Sequence, residues 1–253
     1  MTKRFEHKTV VITGAGSGLG QTSAIRFARE GATLVLLDIN AQGLQESEAL
    51  IRQEGGSCSS YVFDIVDENE VNRVGAEICA AHPKVDVLYN NAGIAYGDIT
   101  GFIDTFDKAT WLHYLSINTL SPLLMAKALR PSLAAAKGVV LNQSSMAANT
   151  PSTAYGVTKA ALNSMTYGMA HVFSADNIRV NAIAPGLMET PANKVGLSAE
   201  TYARVQAMQL TDLHGTADDI ASLALFLASE EGRFINCEVV SCDAGSRLRG
   251  WRY

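Results

Sequence analysis

Seven short apolar, β-branched runs punctuate the chain: Thr9–Thr13, Thr33–Asp38, Ser60–Asp64, Val85–Tyr89, Gly138–Asn142, Ile178–Ala184 and Glu238–Asp243. Each reads as a strand buried on both faces, the pattern of a parallel sheet. Between them lie stretches with helical spacing. Residues 21–30 run to Gly31, residues 41–53 to Gly55-Gly56, and residues 67–81 stop before Pro83. Gly and Pro at those places are ordinary helix stops. Parallel strands need crossovers, and crossovers are right-handed, so the alternation predicts an α/β, doubly wound, seven-stranded parallel sheet with helices on both faces. A length of 253 allows two small domains, but no linker, repeat or low-complexity tract divides the chain. One domain over 1–253 is expected.

The remaining composition narrows the class. With 47% apolar residues, 18% charged residues and a net charge of −5, the chain is too apolar for disorder and too acidic for a nucleic-acid binder. Met1–His7 is polar, and the apolar run Ile220–Ala228 is about half of a membrane span. A soluble, cytoplasmic chain without a membrane partner is expected. Cys58, Cys79, Cys237 and Cys242 form no CxxC, and should be buried thiols in a reducing compartment; if Cys237 and Cys242 share a strand, they face opposite sides. Five scattered histidines form no HxH or HExxH, so no metal site is expected.

The first strand runs into Thr13-Gly14-Ala15-Gly16-Ser17-Gly18-Leu19-Gly20 and then a helix. The glycines fit G-x-x-x-G-x-G, through Gly14, Gly18 and Gly20, and not the commoner G-x-G-x-x-G. Glycines there permit a tight turn and let backbone approach a pyrophosphate at a helix N-terminus. Asp38 ends the second strand, 24 residues after Gly14. Its carboxylate suits both hydroxyls of an adenosine ribose and repels a 2′-phosphate, and neither Ser17 nor Asp38-Ile39-Asn40 offers an arginine. NAD is therefore expected in preference to NADP.

Tyr155 and Lys159 form Y-x-x-x-K in a stretch, 154–173, that reads as a helix. The i, i+4 pair shares one face. A free phenol is a poor base at neutral pH, but a neighbouring ammonium favours the phenolate, so the pair can exchange a proton with an alcohol or ketone.

Together, Thr13–Gly20, Asn90-Asn91-Ala92-Gly93 and Tyr155–Lys159 resemble the short-chain dehydrogenase/reductase family over nearly the whole chain. The resemblance extends to Asp64, to Asn118 in Leu115-Ser116-Ile117-Asn118, and to 178–186 followed by Thr190-Pro191. It implies a Rossmann domain with Tyr155 as acid/base, and with Lys159 holding the nicotinamide ribose and lowering the Tyr155 pKa. A serine after the fifth strand would bond the reacting oxygen, and Asn118 would hold a water linking Lys159 to solvent. Gly14, Ser17, Gly18, Leu19 and Gly20 would form the phosphate loop. Asp38 and Ile39 would meet the adenosine, Asp64 and Ile65 the adenine, Asn91 with Ala92 and Gly93 the adjoining ribose, and Met188 and Thr190 the carboxamide. Homotetramers, through the long helices and the last helix and strand, are also implied; the nearly all-round apolar 220–228 helix points to association.

The family's serine usually lies 13 residues before the tyrosine, where this chain has Asn142. Ser145 and Ser144 are both candidates, with Ser145 preferred by the N-x-x-S pattern. The loop 146–154 reads as shortened. A segment over about 190–215 carries no strand pattern and should cover the substrate, and the arginine-bearing tail 246–253 is either frayed or closes a neighbouring subunit's site. With Ala95, Tyr96, Met146, Thr150 and Met188 on the substrate side, the expected substrate is a non-ionic secondary alcohol or ketone. An NADPH-dependent carbonyl reductase and a non-catalytic dinucleotide-binding regulator are the rival readings.

Overall fold

A computed structural model describes residues 3–95, 97–190 and 198–247. In chain order its main elements are β1 (Thr9–Thr13), α1 (Gly18–Arg29), β2 (Thr33–Asp38), α2 (Ala41–Gln53), β3 (Ser57–Val62), α3 (Glu68–Ala81), β4 (Val87–Asn90), α4 (Lys108–Leu115), α5 (Ser121–Ala136), β5 (Val139–Gln143), α6 (Ala154–Phe173), β6 (Arg179–Pro185), β7 (Met188–Glu189), α7 (Ala199–Gln206), β8 (Gly215–Thr216), α8 (Ala217–Ala228) and β9 (Val239–Cys242). Seven strands form one parallel sheet in the order β3-β2-β1-β4-β5-β6-β9.

Alternate residues of the central strands serve opposite layers, as strand geometry requires. Val10, Ile12, Leu34 and Leu36 pack against Phe27 of α1, Leu44 of α2 and Ile220 and Leu225 of α8. Val11, Val35, Leu37 and Val140 pack against Val74 of α3, Leu129 of α5 and Met169 of α6. The layers are the expected ones.

Several boundaries differ from the sequence reading. β3 spans Ser57–Val62, not Ser60–Asp64, because its register is fixed by β2, from Thr33 opposite Ser57 to Asp38 opposite Val62. As the sheet edge it is not buried on both faces; Ser57 and Ser59 are exposed. Asp64 therefore lies beyond the strand. Cys237 lies outside β9 with a left-handed φ of 63°, so it shares no strand with Cys242. Gly215, expected in a strandless stretch, pairs with Met188 in a two-stranded ribbon too short for any periodicity. α8 buries Ile220, Ala221, Ala224, Leu225 and Leu227, but leaves Phe226 exposed, so this chain alone covers it on one side.

Among the described residues, no helix is long and apolar enough to cross a membrane. Strand order reverses between β1 and β4, and there the loops leaving the two strands diverge and open a crevice at the carboxyl ends.

Candidate active site

A cavity of about 760 Å³ occupies that crevice. Its floor is tied together by Thr13, whose Oγ1 accepts the N–H groups of Asn91 (3.0 Å) and Ala92 (2.9 Å). Asn91 returns the contact, its Nδ2 donating to the carbonyls of Thr13 and Gly14, both at 3.1 Å. Asn91 thus lines the cavity, where a ribose was expected beside it, with its amide hydrogens directed at the glycine loop.

The three glycines do different work. Gly14 has φ +65°, and a Cβ there would lie 2.9 Å from Ala92 Cα. Gly18 has φ +53°, and its missing Cβ would meet nothing within 4 Å, because the space beyond is the cavity. A Cβ on Gly20 would collide with the Gly14 carbonyl oxygen. Gly20 lies outside the lining and acts from behind, letting α1 pack against the loop.

Above this loop, α1 starts at Ser17, which makes no side-chain cap bond, and no acidic residue lies in its first turn. By contrast, α2, α3, α4, α6 and α7 are capped by Asn40, Asp67, Asp107, Thr153 and Ser198. An open helix N-terminus facing a cavity suits an anion. Nearby, Asp38 accepts N–H groups from Gly16 (2.8 Å, Oδ2) and Asn40 (2.9 Å, Oδ1), which fix its carboxylate at the rim. Ile39, Asp64 and Ile65 line the same end, with Ile39 66% exposed. An uncapped N-terminus, an open glycine and a fixed carboxylate together fit the phosphate and ribose of a dinucleotide.

At the far end, Ser144, Ser145, Tyr155, Lys159, Met188 and Thr190 line the cavity with Ala92 and Gly93. Lys159 is 3% exposed, its ammonium donating to the Gln143 carbonyl at 2.7 Å and lying 5.8 Å from the centroid of the Tyr155 ring. Burial alone pushes its pKa down to about 8. The two serines separate cleanly. Ser144 is buried and donates to Asn163 Oδ1 at 2.5 Å. Ser145 accepts the Ala147 N–H at 3.2 Å, so its own hydrogen can serve a ligand.

Asn118 does not line the cavity. It sits in a π-helical turn, Ser116–Leu120, between α4 and α5. Its side chain clamps Ile94 by both N–H and C=O at 2.9 Å and donates to Thr158 Oγ1 at 3.1 Å. Residues the sequence did not bring forward also line the wall: Gln143, Thr100, His113, Ile117 and Val205. His113 and Ile117 lie four apart where α4 passes into the π turn, and only a helical reading of that stretch, not made from the sequence, would have set them on one face. Tyr96, residues 191–197 and residues 248–253, which include most of the tail, lie outside the described residues.

The profile of the family described as enoyl-(acyl carrier protein) reductase matches residues 14–247. The chain belongs to the short-chain dehydrogenase/reductase family. This oxidoreductase is 33% identical to an uncharacterized oxidoreductase, YxbG, of Bacillus subtilis, over 98% of this chain and 94% of that protein. It is 31% identical to the 3-oxoacyl-[acyl-carrier-protein] reductase FabG of Thermotoga maritima, over 96% and 98%. Among solved structures, a 7α-hydroxysteroid dehydrogenase complexed with NADH and 7-oxo glycochenodeoxycholic acid superposes with a TM-score of 0.90 at 31% identity, covering 96% of each chain. Expectations of fold and family are thereby met.

Proposed function

We propose that this short-chain dehydrogenase/reductase is an NAD-dependent oxidoreductase acting on a secondary alcohol or the matching ketone. The observation that carries the reading is one continuous cavity, with Gly18 and Asp38 at one end and Ser145, Tyr155 and Lys159 at the other. The NADH held by the steroid dehydrogenase relative supports it. When bound, the nicotinamide supplies the hydride acceptor or donor.

The chain's own residues handle position and protons. Tyr155 takes the proton from the alcohol oxygen, or returns it to the ketone oxygen. Lys159, a cation beside that ring, favours the phenolate. Ser145 donates to the reacting oxygen and so orients it. Asn118 braces Ile94 and Thr158 through its side chain and, in this reading, holds the water linking Lys159 with solvent. Asp38 selects against a 2′-phosphate by charge.

On the substrate side, Ile94, Ala95, Ile117, Met146, Leu187 and Val205 form an apolar wall. An alcohol on a mainly hydrocarbon skeleton fits it. A screen of secondary alcohols for NAD reduction, and of ketones for NADH oxidation, tests the reading. Turnover of members of the panel is expected; binding of NADH without turnover of any compound would favour a regulator instead. Self-association through α8 is the companion proposal, resting on the outward Phe226 and on Phe234, 98% exposed just beyond that helix. Sedimentation equilibrium giving only the 27.0 kDa monomer would refute it.

A further inference from the structure

Gln143, the last residue of β5, is 6% exposed and lines the cavity. Its Oε1 accepts the hydroxyl of Tyr89, a residue buried completely in β4. Burial also pushes the Tyr89 phenol pKa up, so it remains a donor. The main-chain carbonyl of Gln143 is meanwhile the acceptor for Lys159. That accounts for the acceptors of this residue but not for its amide hydrogens. Nε2 donates to no described group, and it is not among the fully buried side-chain atoms left unpaired, which belong to Ser23, Asn90, Gln206 and Gln209. The remaining outlet for a side chain so enclosed is the cavity.

The direction matters. Leu141, two residues earlier on β5, packs in the layer of α1 and α8, and Tyr89 packs there too. Successive strand residues alternate, so Gln143 points to the α1 side while Ser144 reaches Asn163 of α6. A ligand running from the open α1 N-terminus to Tyr155 passes the end of β5 on the Gln143 side. The residues read above as the substrate wall, Ile117 and Val205 among them, belong to other elements, the π turn and α7. A buried amide with one half unpaired is costly unless a ligand or water meets it.

We propose that Gln143 is a cofactor-contacting residue: its Nε2 donates a hydrogen bond to the nicotinamide end of the dinucleotide, and Tyr89, by holding Oε1, fixes which way the amide faces. This rests on the dinucleotide reading above. The nicotinamide carboxamide oxygen is an acceptor of the right chemistry. ADP-ribose has the phosphates and adenosine but lacks that group.

The test compares the affinities of NADH and ADP-ribose by titration calorimetry. For Gln143→Met, similar in size but without the donor, NADH binding is expected to weaken about 3- to 10-fold, while ADP-ribose binding stays within about twofold. Tyr89→Phe is expected to shift the same ratio in the same direction by less, and it carries the test should the methionine variant not fold. An unchanged ratio in the folded variants would overturn the proposal. If the native protein bound ADP-ribose but not NADH, Gln143 would again lose its assigned partner; binding of neither would instead remove the dinucleotide reading beneath it.

Discussion

The Lys159 ammonium donates to the main-chain carbonyl of Gln143 at 2.7 Å, and no carboxylate among the described residues is bonded to it. A cation held in the interior by a neutral oxygen loses its proton more readily than one in water, hence a pKa of about 8 against 10.5 unfolded. The sign for stability follows. Below about pH 8 both states carry the proton and the native state bears the full cost of burying it. Between about pH 8 and 10.5 only the unfolded chain stays protonated, so the contribution of Lys159 to stability rises with pH. Urea unfolding of the native protein and of Lys159→Met should show the native protein gaining on the variant across that window, by up to about 3 kcal/mol. A constant difference would contradict the lowered pKa.

Tyr155→Phe keeps the ring and removes the proton. Turnover should fall about 10²- to 10⁴-fold, the usual size of a general acid–base contribution. NADH affinity should stay within about twofold, read by titration calorimetry. Near-native turnover in this variant would rule out Tyr155 as the acid/base.

Removing the carboxylate in Asp38→Ala should narrow the preference for NADH over NADPH by about tenfold, equivalent to about 1.4 kcal/mol. The same change deprives Gly16 and Asn40 of their acceptors, so some NADH affinity should be lost too. Comparing Kd values for the two cofactors checks both effects; a preference untouched by the substitution would mean that something else selects the adenosine.

Gly20→Ala and Gly18→Ala should fail differently. The first drives a methyl into the Gly14 carbonyl and should cost about 2–3 kcal/mol, as overpacking against backbone does. The second has room and bears mainly the left-handed backbone penalty, about 1–2 kcal/mol, but its methyl stands in the cavity. Thermal melts should rank Gly20→Ala as the less stable, whereas dinucleotide affinity relative to stability should suffer more in Gly18→Ala.

What the sequence displayed was what local pattern encodes. Thr9–Thr13, Thr33–Asp38, Ala41–Gln53 and Ala154–Phe173 have the bounds read from periodicity, because each has a buried face and a clear stop. β3 slipped because an edge strand buries little, and its register is imposed by Thr33–Asp38. Gly20 and Asn118 carried the right motif positions but act from behind the cavity wall, through packing and through bonds to Ile94 and Thr158. Gln143 fell one position beyond the strand read as Gly138–Asn142 and bore no motif. The role proposed for it depends on its bond to Tyr89, 54 positions away, and no local pattern reports such a pairing.

The lock between Thr13 and Asn91 joins chain segments 78 residues apart, whereas β1 finds β2 from a short way along the chain. The consequence is one of timing. Contacts near in sequence form ahead of those that must first close a long loop. The pairing of β1 with β2, which carries Asp38, is local, whereas the seam beneath the cavity closes only when β4 docks on β1. The seam beneath the crevice is therefore expected to close after the local pairing of β1 with β2.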